Sequence, residues 1–137
     1  MITWKINEEK DYRRVREQVF IQEQVFQKEF DEMDAYATHV TLYKDHQVIG
    51  CGRVFSPLHN QSYVLGRLAI LKPYRSQGYG AMIVHKLEDC VKAEGGIEVR
   101  LHAQVHAVPF YEKLGYVVCS SVDMDEHVPH MYMKKRL

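Results

Sequence analysis

Apolar residues along this chain recur at every second position, then at every third or fourth, then at every second again, and these changes mark its elements. Met1 to Ile6 alternates and reads as a short edge strand. Tyr12, Val15 and Val19 recur at helical spacing. With Asn7 as N-cap and Glu8 and Glu9 in the first turn, they predict a helix from about Glu8 to Gln24. The acidic stretch Glu29-Phe30-Asp31-Glu32-Met33-Asp34 reads as a loop with one helical turn. Thr38 to Tyr43 and Val48 to Phe55 are strands joined by the polar turn Lys44-Asp45-His46-Gln47. Tyr63 to Leu71 is a further strand, which Pro73 ends. Ile83, Val84, Leu87, Cys90 and Val91 form a helical stripe running to about Lys92, and Gly95-Gly96 closes it. Ile97 to Ala103 alternates as a strand. Pro109 opens a short helix carrying Phe110, Tyr111 and Leu114, and Gly115 ends it. Tyr116 to Ser120 reads as a core strand, Ser121 to Pro129 as an acidic loop, and His130 to Lys135 as the last strand. The order is β-α-loop-β-β-β-α-β-α-β-β. It predicts an α/β chain of the mixed α+β kind, with a central sheet of about six to seven strands and helices on both faces.

The 137 residues suit a single domain over 1–137. Eighteen basic residues balance eighteen acidic ones, so no bulk field draws the chain to nucleic acid or a membrane, and neither is expected as a partner. No apolar run approaches the roughly 20 residues that span a bilayer. The mixed, acidic first residues are unlike a signal or transit peptide, so the expected location is cytoplasmic. Cys51, Cys90 and Cys119 are odd in number and far apart, fitting neither a disulfide framework nor a zinc site. The pairs His102/His106 and His127/His130 have metal-like spacing without supporting context, so no metal is expected.

Chemistry enters at Arg75-Ser76-Gln77-Gly78-Tyr79-Gly80-Ala81, between a strand and a helix. Two glycines let a backbone approach a ligand, and the first helical N–H groups point outward unpaired. The helix dipole adds positive potential, so the natural guest is a phosphate or pyrophosphate. An ATP-binding P-loop needs Lys-Ser/Thr where Ala81-Met82 stands, and the dinucleotide fingerprint needs a third glycine where Ile83 stands. The remaining Arg-x-x-Gly-x-Gly pattern resembles the acetyl-CoA pyrophosphate loop of the GNAT superfamily of N-acetyltransferases. Val108-Pro109-Phe110-Tyr111-Glu112-Lys113-Leu114-Gly115-Tyr116 is similar to a second segment of that family, one helix and one strand further on. The spacing from Val15-Arg16 through Glu23-Gln24, Asp34, His39, Ala103-Gln104 and Pro129-His130-Met131 resembles the short, single-domain bacterial members called YjcF-like or ElaA-like.

The resemblance implies an enzyme that moves an acetyl group from acetyl-CoA to an amine of a small molecule or peptide by direct attack, acting as a monomer or homodimer. It assigns the pyrophosphate to Arg75, Ser76, Gln77, Gly78, Tyr79, Gly80 and Ala81, and the pantetheine to the strand edge at Leu68, Ala69 and Ile70. Phe110 and Tyr111 follow at the acyl end. Gln104 stands where many members carry an Asn, and its longer amide can still bond pantetheine. Tyr111 is the expected general acid, since a phenol with an ordinary pKa near 10 is protonated at neutral pH. An alkylamine is mostly protonated at pH 7, so a base is needed, and the candidates are Glu23, Asp34, His39 and His130. The acidic run from Glu29 to Asp34, if it lines the acceptor mouth, favours cationic acceptors such as polyamines. Two rival readings keep the fold. One is a non-catalytic acyl-CoA-binding module. The other is an acyl-homoserine-lactone-synthase-like acyltransferase, echoed by Arg16, Phe20, Glu29, Asp31, Asp34 and Arg53.

Overall fold

Two antiparallel hairpins build the first half of the sheet. In the computed structural model, which describes residues 1–137, β1 (Ile2–Ile6) pairs with β2 (Thr38–Lys44), β2 with β3 (Gln47–Phe55), and β3 with β4 (Ser62–Ile70). Asp45 and His46 join β2 to β3 with φ of 49° and 72°, the two-residue left-handed turn that matches the strand twist. After α2 (Tyr79–Ala93) the chain returns as β5 (Glu98–Gln104), which lies parallel to β4. Helix α3 (Val108–Lys113) leads to β6 (Val117–Val118), β7 (Asp123–Asp125) and β8 (Val128–Arg136). The sheet order is β1-β2-β3-β4-β5-β8-β6, with β7 also paired to β8, giving eight strands.

Helices cover both faces, as predicted. Ile83, Val84, Leu87 and Val91 of α2 are fully buried against Val40, Leu42, Val54, Leu65, Val99 and Leu101. The close approach explains a glycine in β3: a Cβ on Gly52 would stand 2.8 Å from Leu87 Cδ1. On the other face, Tyr12, Val15, Val19 and Phe20 pack on Tyr43, Val48, Cys51, Ala69 and Leu71.

The structure corrects several boundaries. Helix α1 spans only Glu9–Arg16 and then widens into a π turn over Glu17–Glu23, which brings Val15, Val19 and Phe20 all against the sheet. Asn7 is not its N-cap. With φ of 58°, Asn7 faces β2 instead, and its Oδ1 accepts from the His39 N–H at 2.8 Å. The predicted strand Tyr116–Ser120 shrinks to Val117–Val118 at the sheet edge, so Cys119 is exposed rather than in the core. The acidic loop holds the short strand β7, which raises the strand count above expectation.

Residues 29–34 are fixed by charge rather than by apolar packing. Arg16, 1% exposed, donates from Nε to Glu29 Oε2 at 2.8 Å and from Nη1 to Asp34 Oδ1 at 2.7 Å. Arg53 Nη1 donates to Asp31 and Asp34, both at 2.6 Å, and Arg67 reaches Glu29 and Asp31. Burial opposes ionisation of Asp34. Hydrogen bonds from Arg16 and the Asp31 amide, with the charges of Arg16 and Arg53, outweigh it and hold the carboxyl well below the usual carboxylate range. A depressed carboxyl stabilises the fold above its unfolded value, near pH 4, and that contribution is lost as pH falls toward the lower folded value. Asp34→Asn should therefore cost about 1.5–3 kcal/mol in urea unfolding at pH 7, because Arg16 and Arg53 each lose a charge-assisted bond while keeping Glu29 and Asp31. The deficit should shrink below about pH 4, where the carboxyl of the unfolded wild-type chain takes up a proton and the advantage of the ionised folded one fades.

Candidate active site

Strands β4 and β5 are nine and seven residues long, yet they pair only at Ser62–Val64 with Glu98–Arg100. A bulge drives the separation. Cys51 pairs with Ala69 and Arg53 with Gly66, so Arg67 and Leu68 together oppose Gly52. Arg67 adopts φ of 52° there. A bulge of this kind bends its strand and increases the local twist, and β4 leaves β5 just before it. The opening holds a cavity of about 260 Å³. Val64 to Leu68 form one wall and Leu101 to Gln104 the other, with Phe110 and Tyr111 of α3 on one side of the sheet and Phe20, Gln24 and Phe26 on the other.

The free edge of β4 carries unpaired backbone groups. The Leu71 N–H donates to the Ile49 carbonyl at 2.8 Å. By the two-residue alternation of a strand, Ala69 then also faces β3, while Leu68 and Ile70 present their N–H and C=O groups to the opening. Ala69, expected on the ligand edge, spends its polar groups on β3. The Ile70 carbonyl is already taken by Arg75 Nε at 2.8 Å, so Leu68 and the Ile70 N–H remain for a ligand.

Beyond this edge, Ser76 and Gly78 both take left-handed φ, 61° and 87°, and Gly78 sits at the N-terminus of α2. The amides from Ser76 through Ala81 find no backbone acceptor in the fold. Gly80 is required for contact, since a Cβ there would lie 3.2 Å from the Phe110 ring. Such a row of uncommitted amides can take an anion, and Ser76, Gln77, Tyr79 and Ala81 offer N–H groups rather than charge to it. Arg75, expected to face the phosphate, is turned away: its Nη atoms donate to both Glu23 oxygens at 2.6 and 2.7 Å.

The acid and base candidates separate cleanly. Tyr111 lines the cavity, and burial alone holds its phenol well above the usual range, so it stays protonated. His130 also lines the cavity, only 5% exposed. Its Nδ1 lies 2.8 Å from the Val128 carbonyl, an acceptor only, so the proton sits on Nδ1 and the Nε2 lone pair is free. Glu23 lies outside the cavity, and the hydrogen bond from Arg75 lowers its basicity. Asp34 is held by arginines. His39 stacks on Tyr12 at 3.8 Å beyond the ion cluster, and burial pushes its pKa down. Gln104 ends β5 at the cavity, but its Nε2 donates to Gln24 Oε1 at 2.8 Å, which ties β5 to the strap over residues 24–28.

The chain matches the acetyltransferase (GNAT) domain family over residues 8–137. It belongs to that family. YjcF of Bacillus subtilis (strain 168), described as an uncharacterized N-acetyltransferase, is 37% identical over 134 residues, covering 94% of this chain and 94% of YjcF. Escherichia coli ElaA superposes with a TM-score of 0.87 at 23% identity, covering 98% of this chain and 99% of ElaA. An aminoglycoside 6'-N-acetyltransferase complexed with coenzyme A has a TM-score of 0.79 at 17% identity, over 98% of this chain and 96% of that one. These two likenesses are of fold. Family membership makes the chain an N-acetyltransferase that uses an acyl-CoA donor and an amine acceptor.

Several residues of this GNAT site escaped the sequence reading. His102 and Asp125 also line the cavity, and His102 stacks with Tyr132 at 4.2 Å while its Nε2 meets Asp123 at 2.9 Å. His102 was visible only as half of an i,i+4 pair, whereas the sheet pairs it across strands with β8. Arg67 had a plainer signal, a charge inside an otherwise apolar strand. Replacing Gly78 by Val should raise the Kd for CoA at least about 10-fold, because a left-handed β-branched residue costs about 1–2 kcal/mol and crowds the amides. Its Cβ meets nothing within 4 Å, so the melting temperature should move by only a few degrees. Calorimetric titration and a thermal melt check both.

Proposed function

We propose that this acetyltransferase binds acetyl-CoA along β4 and transfers the acetyl group directly to an amine held against His130. The observation that carries this reading is the opening of β4 from β5 beside an uncommitted row of amides. In this reading the Ser76–Ala81 amides take the pyrophosphate, and the free groups of Leu68 and Ile70 pair with the pantetheine as a false strand. The thioester then lies where Tyr111 and His130 reach the cavity from opposite faces of the sheet.

The chemistry follows from what each group can exchange. His130 Nε2 removes a proton from the ammonium, and the freed lone pair attacks the thioester carbon. The carbonyl electrons move to oxygen, where a β4 backbone N–H stabilises the oxyanion. Collapse re-forms the carbonyl and breaks the carbon–sulfur bond. The Tyr111 hydroxyl protonates the departing thiolate and is refilled by the second amine proton, and His130 releases the proton it took to solvent.

The test is thiol release and mass-spectrometric product detection on incubation with acetyl-CoA and an amine panel. Tyr111→Phe should lower kcat by about 100-fold or more while the KM for acetyl-CoA stays within about 3-fold, the signature of an interaction made in the transition state. His130→Gln should behave likewise at neutral pH. A chain that binds acetyl-CoA as before, with equally low turnover in the wild type and in Tyr111→Phe, would instead be the non-catalytic acyl-CoA module.

A further inference from the structure

The ion cluster behind the cavity is balanced in number and divided in space. Arg16, Arg53 and Arg67 face Glu29, Asp31 and Asp34. Asp31 and Asp34 line a separate crevice with Asn7, Tyr12 and His39, and take no part in the cavity wall. Arg53 and Arg67 do line the cavity, joined by Lys28, with Glu29 as the one carboxylate of the cluster beside them. Glu29 Oε2 is committed to Arg16 Nε at 2.8 Å and Arg67 Nε at 3.1 Å.

Two guanidinium donors are left over on this wall. Arg53 is 3% exposed, and its Nε is the one buried side-chain polar atom of the protein without a partner. Arg67 spends Nε and Nη2 on Glu29 and Asp31, and no protein group accepts from Nη1. A buried charged donor left unpaired is costly, and proteins rarely carry one without a guest. The bulge explains how two arginines reach one place: Arg53 pairs with Gly66, and Arg67 follows in the left-handed conformation. Across the opening, β5, β7 and β8 supply a different chemistry, His102, Asp125 and His130.

From this we infer that the acceptor is a zwitterion of the amino-acid class, its carboxylate taken by Arg67 Nη1 with the buried charge of Arg53 behind it, and its amine presented to His130 and Asp125. The inference rests on the acetyl-transfer reading above and sharpens it. It also replaces the expectation of a polyamine-like acceptor. The acidic run that suggested one is neutralised by arginines, and its two aspartates face away from the cavity. A second ammonium at the β3–β4 wall would meet guanidinium groups.

The test uses matched pairs, each α-amino acid against the amine left by its decarboxylation, with acetyl-CoA as donor and free thiol as readout. At least one amino acid should exceed its decarboxylated partner by about 100-fold or more in kcat/KM, since a site built to bond a polar group discriminates strongly against an analogue lacking it. Arg67→Met should reduce that ratio to within about 3-fold while leaving the KM for acetyl-CoA unchanged. Equal or better turnover of the decarboxylated amines, or a ratio untouched in Arg67→Met, overturns the inference and leaves acetyl transfer standing. No turnover in either series likewise overturns this inference, and turnover of no amine in the wider panel by a protein that still binds CoA overturns the transfer reading as well.

Discussion

The loss of pairing between β4 and β5 is the constraint on which the rest of the site depends. Three residue pairs hold the two strands parallel, and then each continues alone on its facing edge. A sheet gives up backbone hydrogen bonds at a cost, because each exposed N–H and C=O must find another partner. Here the bulge at Arg67 and Leu68 forces the separation, and α2 and α3 keep it from collapsing. Phe110 rests on Gly80, and Tyr111 packs at 74° to the Tyr116 ring, 5.8 Å between centroids. The same opening therefore yields a ligand-binding strand edge, a cavity with two chemically distinct walls, and access from both faces of the sheet.

The ion cluster holds residues 29–34 in place behind the cavity. In residues 29–34 the one aromatic ring, Phe30, itself rests on the guanidinium groups of Arg13 and Arg16 at 4.1 and 4.7 Å. Arg16 reaches across from α1 and Arg53 from β3, and both grip Asp34. A second clamp lies at the other end of the strap, where the Glu126 carboxylate accepts from the Gln27 and Lys28 amides at 2.9 and 3.1 Å. Just before the second clamp Val25 is held at φ of 62°, a conformation that a β-branched residue adopts only under constraint. The wall formed by residues 24–34 is thus set by charge pairing and backbone strain, whereas the side under α2 and α3 is set by apolar packing.

That division explains what the sequence could disclose. The α2 stripe, the alternation of β2, β3 and β5, and the Gly78–Gly80 turn are local patterns, and each reappears in the structure near its expected place. The opening of β4 was legible only through the family likeness, because a bulge leaves no periodic trace beyond one charged residue, Arg67. The partners of charged groups were not legible at all. Arg75 looks like a phosphate ligand until Glu23, 52 residues away in sequence, is found on its guanidinium. Asp34 looks like a base until two arginines are found on it. That His102 lies beside His130, with ring centroids 4.6 Å apart, rather than working with His106 depends on the register of β5 with β8, which no short-range pattern encodes.

Placement of the cysteines bears on the order of events. A covalent acyl-enzyme route needs a thiolate beside the thioester. Cys51 lies buried in the α1-face core, where burial pushes its thiol up to about 12. Cys90 sits on α2 and Cys119 beyond β6, and none of the three lines the cavity. Tyr111 belongs to the α2-face core, while His130, opposite Gln104, lies on the α1 face beside Phe26. The two side chains therefore reach the opening from opposite faces of the sheet, and direct attack in a ternary complex, as proposed above, asks only that donor and acceptor meet there.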